Sequence, residues 1–398
     1  MNTTIDFEKK TKELIDNLKG ICANYGLGND GNEFKIITQV FLYKFMNDKF
    51  AYQIKEIDKQ YDVENWEEQL TDLSDDDYEM LLLQLGPNTA KLKPEHFIST
   101  LFARQNEDEF AKLFDDTLRD IAITNNDIFA VKTGGGARVT LFDNISTFIT
   151  DTNERDPFCK ALINKLVDFS FENIFNEKYD FFATIFEYLI KDYNKDGGGK
   201  YAEYYTPHAV AKIMAAILVT EPVKNVTCYD PSAGSGTLLM NLAHAIGEDK
   251  CSIYSQDISQ KSSSLLRLNL ILNNLVHSIQ NIIQGNTILE PHHKDKKNQL
   301  QKFDFIVSNP PFKLDFSDWR DDIDTKENND RLFAGIPNVP KKAKDKMAIY
   351  TLFIQHIMYS LSDKGKAAIV VPTGFITAQT GIDKKIRQKL VEEKMGSK

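Results

Sequence analysis

Between Asn225 and Pro372 strand-like runs alternate with helical ones: NVTCYD, TLLMNLAHAIG, CSIYSQD, SQKSSSLLRLNLILNNL, IIQGN, FDFIVSN, MAIYTLFIQHIMYSL and GKAAIVVP. Short apolar strands separated by amphipathic helices predict a parallel sheet with helices on both faces, an α/β fold. On such a sheet ligands lie at the carboxyl ends of the strands. Candidate chemistry is therefore sought just after each strand.

The region before this alternation, up to about Tyr193, is helical in pattern. In FKIITQVFLYKFMNDKF, Ile37, Val40, Phe41 and Phe45 form one apolar stripe with Lys44 at its edge. The triple glycine of KTGGGARVT is followed by no Lys-Ser or Lys-Thr pair, so it reads as a flexible turn and not a phosphate loop. KDGGGK, Lys195 to Lys200, reads as a flexible join before the α/β region. A length of 398 residues suits two domains, expected at 1–165 (helical) and 166–398 (α/β).

Charge and composition remove some functions from consideration. The net charge of -10 is spread along the chain and leaves no overall nucleic-acid footprint, so any cationic surface must be local or supplied by a partner. The lysines of PKKAKDK, Lys341 to Lys346, are one such local candidate, with a solvated loop as the alternative. No apolar run approaches the roughly 18 residues that span a bilayer, and the start lacks a signal-peptide core, which predicts a cytoplasmic protein. Cys22, Cys159, Cys228 and Cys251 show neither metal-ligand nor redox spacing. His292 and His293 fall in the polar run EPHHKDKKNQ and read as a solvated loop, so no metal is expected.

The strand ends carry more. The first closes in DPSAGSGTLL, where Asp230 ends the strand and Gly234 and Gly236 permit a tight turn before a helix at Thr237. The second ends in Asp257, about 20 residues past Gly236, where doubly wound folds place a carboxylate for ribose hydroxyls. Capping of the next helix is the competing role for that aspartate. The third offers Asn286 and Thr287, and the fourth ends in Asn309.

That fourth strand runs, in FDFIVSNPPFKLDF, straight into Asn-Pro-Pro-Phe. As punctuation the motif is a turn. As chemistry it suits an exocyclic nucleobase amine, a poor nucleophile because its lone pair is delocalised into the ring. The Asn309 carboxamide oxygen and a backbone carbonyl, accepting hydrogen bonds from that amine, would favour a pyramidal nitrogen. Pro310 and Pro311 fix the local backbone and offer no competing N–H. Phe312 presents a face for stacking, worth roughly 1–3 kcal/mol.

With these motifs in this order, the chain resembles S-adenosylmethionine-dependent amino-methyltransferases of the DNA N6-adenine type. It resembles most closely the modification (M) subunits of Type I restriction-modification systems. KYAEYYTPHAVAKIM is similar to their Tyr-Thr-Pro motif, NEFKIITQVFLYKFMNDKF to their N-terminal helical domain, and the segment from Arg331 to Ile376 to the one following their catalytic motif. The resemblance implies a Rossmann-like methyltransferase sheet behind an all-α domain. It implies S-adenosylmethionine held by Glu203, Tyr204, Tyr205, Thr206 and Pro207 and by the turn containing Asp230, Ser232, Gly234 and Gly236, with Asp257 at the ribose and Asn286 near the adenine. Asn309, Pro310, Pro311 and Phe312 would hold the target base. The implied partners are DNA, a specificity (S) subunit, a second M subunit and a restriction (R) subunit. Thr206 as N-cap with Pro207 at the first helical position would open an amphipathic helix through Val210, Ile213, Met214 and Ile217.

Two features depart from the family pattern. Asn286 stands where an acidic residue is usual, and the chain ends at EEKMGSK, before the two further strands and helical region that the family carries. A sheet ending there exposes an edge, so either a partner covers it or the chain is a truncated form. Two other readings compete: a cofactor- and DNA-binding scaffold without catalysis, and an Asn-Pro-Pro-Phe methyltransferase acting on RNA or on protein glutamine.

Overall fold

The structure, a computed structural model, describes residues 2–28, 31–172, 175, 184–190 and 206–393. It contains two compact units. One comprises residues 1–130, 139–202 and 271–277, and the other 131–138, 203–270 and 278–398. Among the described residues no helix is long and apolar enough to cross a membrane.

The first unit is helical. Its central helix, Gly31–Ile57, is buried on nearly every side over Phe34–Ala51. Lys44 departs from the expected edge position: it is 4% exposed and pairs with Asp48 at 2.9 Å, one turn along. The second Asp48 oxygen accepts the Phe171 N–H at 2.7 Å. An ammonium enclosed in this way stays tolerable only because a carboxylate one turn away neutralises it, and removing either partner strands the other charge.

The second unit is built on a seven-stranded sheet: β1 (Val131–Thr133), β2 (Arg138–Val139), β3 (Val226–Asp230), β4 (Cys251–Asp257), β5 (Ile282–Gln284), β6 (Phe303–Ser308) and β7 (Leu361–Ile369). Their spatial order is β2-β1-β5-β4-β3-β6-β7. The pairs β1–β5, β5–β4, β4–β3, β3–β6 and β6–β7 are all parallel. Every run read as a strand in the alternating region is one. KTGGGARVT is more than a flexible turn, however, because its flanks form β1 and β2 at the sheet's edge, with the glycines between them. Val131 at the start of β1 is buried. KDGGGK lies outside the described residues.

The strand order fixes where a ligand belongs. The chain lays down β3, β4 and β5 in one direction and then returns to place β6 on the other side of β3. The crevice at such a reversal opens at the carboxyl ends of the two flanking strands. Those ends are Asp230 and Ser308, and Asn309 follows Ser308 directly.

Aromatic packing holds this pair of strands in register. Tyr229 on β3 stacks on Phe303 of β6 at 4.2 Å between ring centroids, and both are buried. His293 corrects the solvated-loop reading: its ring meets Tyr229, Tyr254 and Phe303 edge-on, and its Nε2–H donates to the Ser255 carbonyl at 3.0 Å. Burial lowers its pKa to about 4, keeping the ring neutral at physiological pH. All four cysteines are buried, and none is in a disulfide.

Candidate active site

A cleft with about 880 Å³ of empty space opens at the β3–β6 reversal. Asp230, Ser232, Gly234, Asp257, Asn286, Thr206, Asn309 and Pro311 all line it, so the candidates from four strand ends converge on one cavity. Glu203, Tyr204 and Tyr205 lie outside the described residues.

The glycine turn is held from below by side chains. Asp230, 1% exposed, accepts the Ser232 N–H at 2.9 Å. The Ser232 and Ser308 hydroxyls are 2.7 Å apart, tying the turn to the base of Asn-Pro-Pro-Phe. Burial pushes the Asp230 carboxyl from 3.8 up to about 7, with the Ser232 and Ser308 contacts opposing the rise and the charge of Asp257 adding to it. Gly234 and Gly236 have φ of 53° and 83°, left-handed conformations that favour glycine. A Cβ on Gly236 would also stand 2.2 Å from Leu266 Cδ1, so the Leu266 side chain, on the helix Gln260–Leu272, would have to shift.

Asp257 binds backbone but does not cap the next helix, Gln260–Leu272, whose Ser262 N–H goes to the Ser259 hydroxyl at 3.2 Å. One oxygen accepts the Gly234 N–H at 3.0 Å and the other the Ser259 N–H at 2.8 Å, joining the glycine turn to the end of β4. Desolvation raises its pKa. Both oxygens keep lone pairs, so the contacts leave room for ligand hydroxyls. Asn286 is likewise committed locally, its side-chain oxygen accepting from Ile288 N and Leu289 N at 3.1 Å each. The Thr287 hydroxyl lies 2.7 Å from the Pro231 carbonyl and 3.1 Å from that of Gln256, bracing the same loop against the turn after β3.

In the Asn-Pro-Pro-Phe motif, Asn309 Nδ2 donates to the Thr206 hydroxyl at 3.1 Å. This overturns the expected capping. The N-cap of the helix His208–Leu218 is Pro207, whose carbonyl accepts from Val210 and Ala211, while Thr206 is occupied by Asn309. The apolar face also differs, because Ala211, Met214, Ala215 and Leu218 are buried and Val210, Ile213 and Ile217 are exposed. Phe312 is 37% exposed and meets Tyr350 edge-on at 6.3 Å. Part of its ring is therefore open to solvent.

Sequence reasoning missed the apolar wall. Leu238, Ile258, Leu314, Trp319, Ile349 and Phe353 line the cleft. Ile258, next to Asp257, was within reach of a strand-end search. Trp319 and Leu314 sit in a polar-looking stretch that folds back on itself: Leu314 N–H donates to the Met347 carbonyl at 3.1 Å, and Phe316, Ile323 and Leu332 form a core with Ile288, Ile349 and Phe353. Lys341, Lys342, Lys344 and Lys346 are exposed on this segment.

A family model described as N-6 DNA Methylase matches residues 177–396, more than half of the chain. Among curated proteins, the Type I restriction enzyme MpnII methylase subunit of Mycoplasma pneumoniae is 26% identical over 97% of this chain and 71% of its own length. The MjaIX methylase subunit of Methanocaldococcus jannaschii is 28% identical over 58% of this chain and 39% of its own. The type I restriction-modification methyltransferase subunit of Streptococcus thermophilus shares the fold, with a TM-score of 0.73 at 22% identity, covering 97% of this chain and 79% of that one. The chain belongs to the N-6 DNA Methylase family.

Proposed function

We propose that this chain is the modification subunit of a Type I restriction-modification system, whose helical unit and catalytic α/β unit serve to methylate N6 of adenine at sites chosen by a specificity subunit. The observation that carries the reading is the convergence of Asp230, Gly234, Asp257 and Asn309 on one cleft at the sheet's reversal. The subunit role is supported by the Type I methylase names of the relatives. The remaining partners follow from that role: DNA, a second modification subunit and a restriction subunit.

The residues present fit S-adenosylmethionine. A buried carboxylate, Asp230, suits an ammonium, the open glycine turn suits close approach to the backbone, and Leu238, Ile258 and Phe353 suit an apolar ring. When bound, this cofactor supplies an electrophilic methyl group on a sulfonium. The chain's own contribution is positional. Thr206 takes the Asn309 N–H, which leaves the carboxamide oxygen as the acceptor for the target amine. Accepting from that amine draws the nitrogen lone pair out of conjugation, and the rigid prolines hold the acceptor in place. Phe312 stacks on a base turned out of the duplex, recovering part of a flipping cost of a few kcal/mol. Asp257 and Asn286 would hold the cofactor's ribose and adenine.

Methyl transfer from labelled cofactor to duplex DNA, with and without the specificity subunit, tests the reading. Asn309→Ala is expected to abolish transfer and spare cofactor binding. Transfer by Asn309→Ala at the parent rate would overturn the catalytic assignment, and transfer to RNA or protein but not DNA would overturn the substrate. The chain alone is expected to bind duplex weakly and without sequence preference, since phosphate neutralisation sets affinity and base-edge contacts set specificity. Tight, site-selective binding by the chain alone at physiological salt would replace the subunit reading with a self-sufficient enzyme.

A further inference from the structure

Arg331 is 3% exposed, in the segment that follows Asn-Pro-Pro-Phe. A guanidinium enclosed without a counter-charge is costly, and among the described residues its hydrogen bonds reach no carboxylate. Nη2 donates to the Ile288 carbonyl at 2.7 Å and to Asn328 Oδ1 at 2.9 Å, and Nε donates to the same Asn328 oxygen at 3.1 Å. Nη1 has no partner among those residues. Burial pulls its pKa down to about 10, although the hydroxyls of Tyr229 and Tyr359 oppose the shift.

The Ile288 carbonyl shows what this buried charge accomplishes. Ile288 is held on both sides: its N–H donates to Asn286 Oδ1, and its carbonyl accepts from Arg331. Leu289 N–H adds a second bond to the same Asn286 oxygen. Only an oxygen can accept two N–H donors, so the orientation of the Asn286 amide is fixed by this network. The polar atom of Asn286 not taken by these bonds is Nδ2, and Asn286 lines the cleft.

We propose that Arg331 is a positioning residue for the cofactor's base: by anchoring Ile288 it locks Asn286 with its oxygen toward the backbone and its NH2 toward the cleft, as a donor to a ring nitrogen of adenine. An acidic residue at this position would offer an acceptor to the adenine amine instead, so the polarity of the contact is inverted here. The inference rests on the cofactor reading above and deepens it.

Calorimetric titration of the full chain with S-adenosylmethionine, S-adenosylhomocysteine and deaza analogues of the latter, which replace one ring nitrogen by CH, tests it. Amide hydrogen exchange at Ile288 and Leu289 is followed in parallel. Arg331 bonds only the neutral oxygens of Ile288 and Asn328, so Arg331→Met strands no counter-charge and is expected to remain folded. Its cofactor affinity should fall about tenfold, as for a lost polar contact, and exchange at both amides should rise. Arg331→Lys, which keeps one donor, should recover part of each. One deaza analogue should bind the parent more weakly than S-adenosylhomocysteine does, and that penalty should shrink in Arg331→Met. Arg320→Met, in the same segment but bonded to Asp321 and Asp324, serves as the control for general loosening. Unchanged affinity and exchange in folded Arg331→Met would overturn the proposal, as would equal losses in Arg320→Met. If the parent binds no S-adenosylmethionine, the cofactor reading falls and the adenine contact with it, while raised exchange in Arg331→Met still establishes Arg331 as the anchor of the loop.

Discussion

Asn309 and Thr206 are 103 positions apart in the sequence and joined by one hydrogen bond, Nδ2 to Oγ1 at 3.1 Å. The bond uses one of the amide's two N–H donors and leaves the carboxamide oxygen out of the contact. Thr206→Val retains shape and removes the acceptor, so Asn309 should lose its fixed orientation. With a buried polar contact worth about 1–3 kcal/mol when broken, single-turnover methylation should fall roughly ten- to a hundredfold, and Thr206→Ser should restore it. Parent-like turnover in Thr206→Val would show that Thr206 does not orient the catalytic amide.

The two turn glycines should fail in different ways. Gly234 combines φ of 53° with a backbone N–H spent on Asp257, at the rim of the cleft. Gly234→Val should therefore abolish cofactor binding by blocking close approach to the backbone, and calorimetry showing unchanged affinity would remove the turn from the site. Gly236→Ala meets Leu266 and a φ of 83°. Overpacking and left-handed strain together cost on the order of 2–4 kcal/mol, which thermal unfolding of the variant would reveal as a drop of several degrees.

Phe312 meets Tyr350 edge-on, and Tyr350 is itself tied to Asp383 through its hydroxyl at 2.5 Å. The exposed ring is thus supported from one side. Phe312→Ala should weaken methylation of a duplex by about ten- to a hundredfold, following a stacking contribution of about 1–3 kcal/mol. A target adenine placed in a mismatch costs less to turn out, so it should suffer a smaller loss. Equal losses on matched and mismatched targets would argue against stacking on a flipped base.

The alternation of strands and helices was legible because each strand is a compact apolar run ended by Asp, Asn, Gly or Pro, and the cleft followed from its topology. The roles of individual side chains were less so. Asp257, Asn286 and Thr206 stand where strand-end logic puts them, yet each is bonded to backbone or to Asn309 through contacts that no spacing encodes. Lys44 was expected at the edge of the apolar stripe and His293 in a solvated loop, because such residue types are usually exposed. Their burial depends on Asp48 and on an aromatic set drawn from β3, β4 and β6, partners visible only once the chain is folded. The β1–β2 hairpin escaped notice because strands this short carry almost no periodic signal.

Asp230 gives the site a pH dependence with a definite sign. Its carboxyl rises from 3.8 to about 7 on folding, mainly through burial. The folded state therefore binds its proton more tightly than the unfolded chain, and the stability from this group is complete below pH 4. It is lost as pH rises toward 7, by roughly 4 kcal/mol for a shift of this size. His293 works in the opposite direction over part of that range. Its depressed pKa contributes stability above about 6.5 that disappears as pH falls toward 4. Replacing Asp230 with Asn should remove the first slope and leave the second, so unfolding curves for Asp230→Asn between pH 4 and 8 should show stability rising with pH. If Asp230 receives the cofactor's ammonium, ionisation is required for binding. Cofactor affinity should then increase through pH 7, and below it the binding heat should vary with the buffer's ionisation enthalpy as a proton is released. Affinity independent of pH from 6 to 8, in buffers of different ionisation enthalpy, would place the ammonium elsewhere in the cleft.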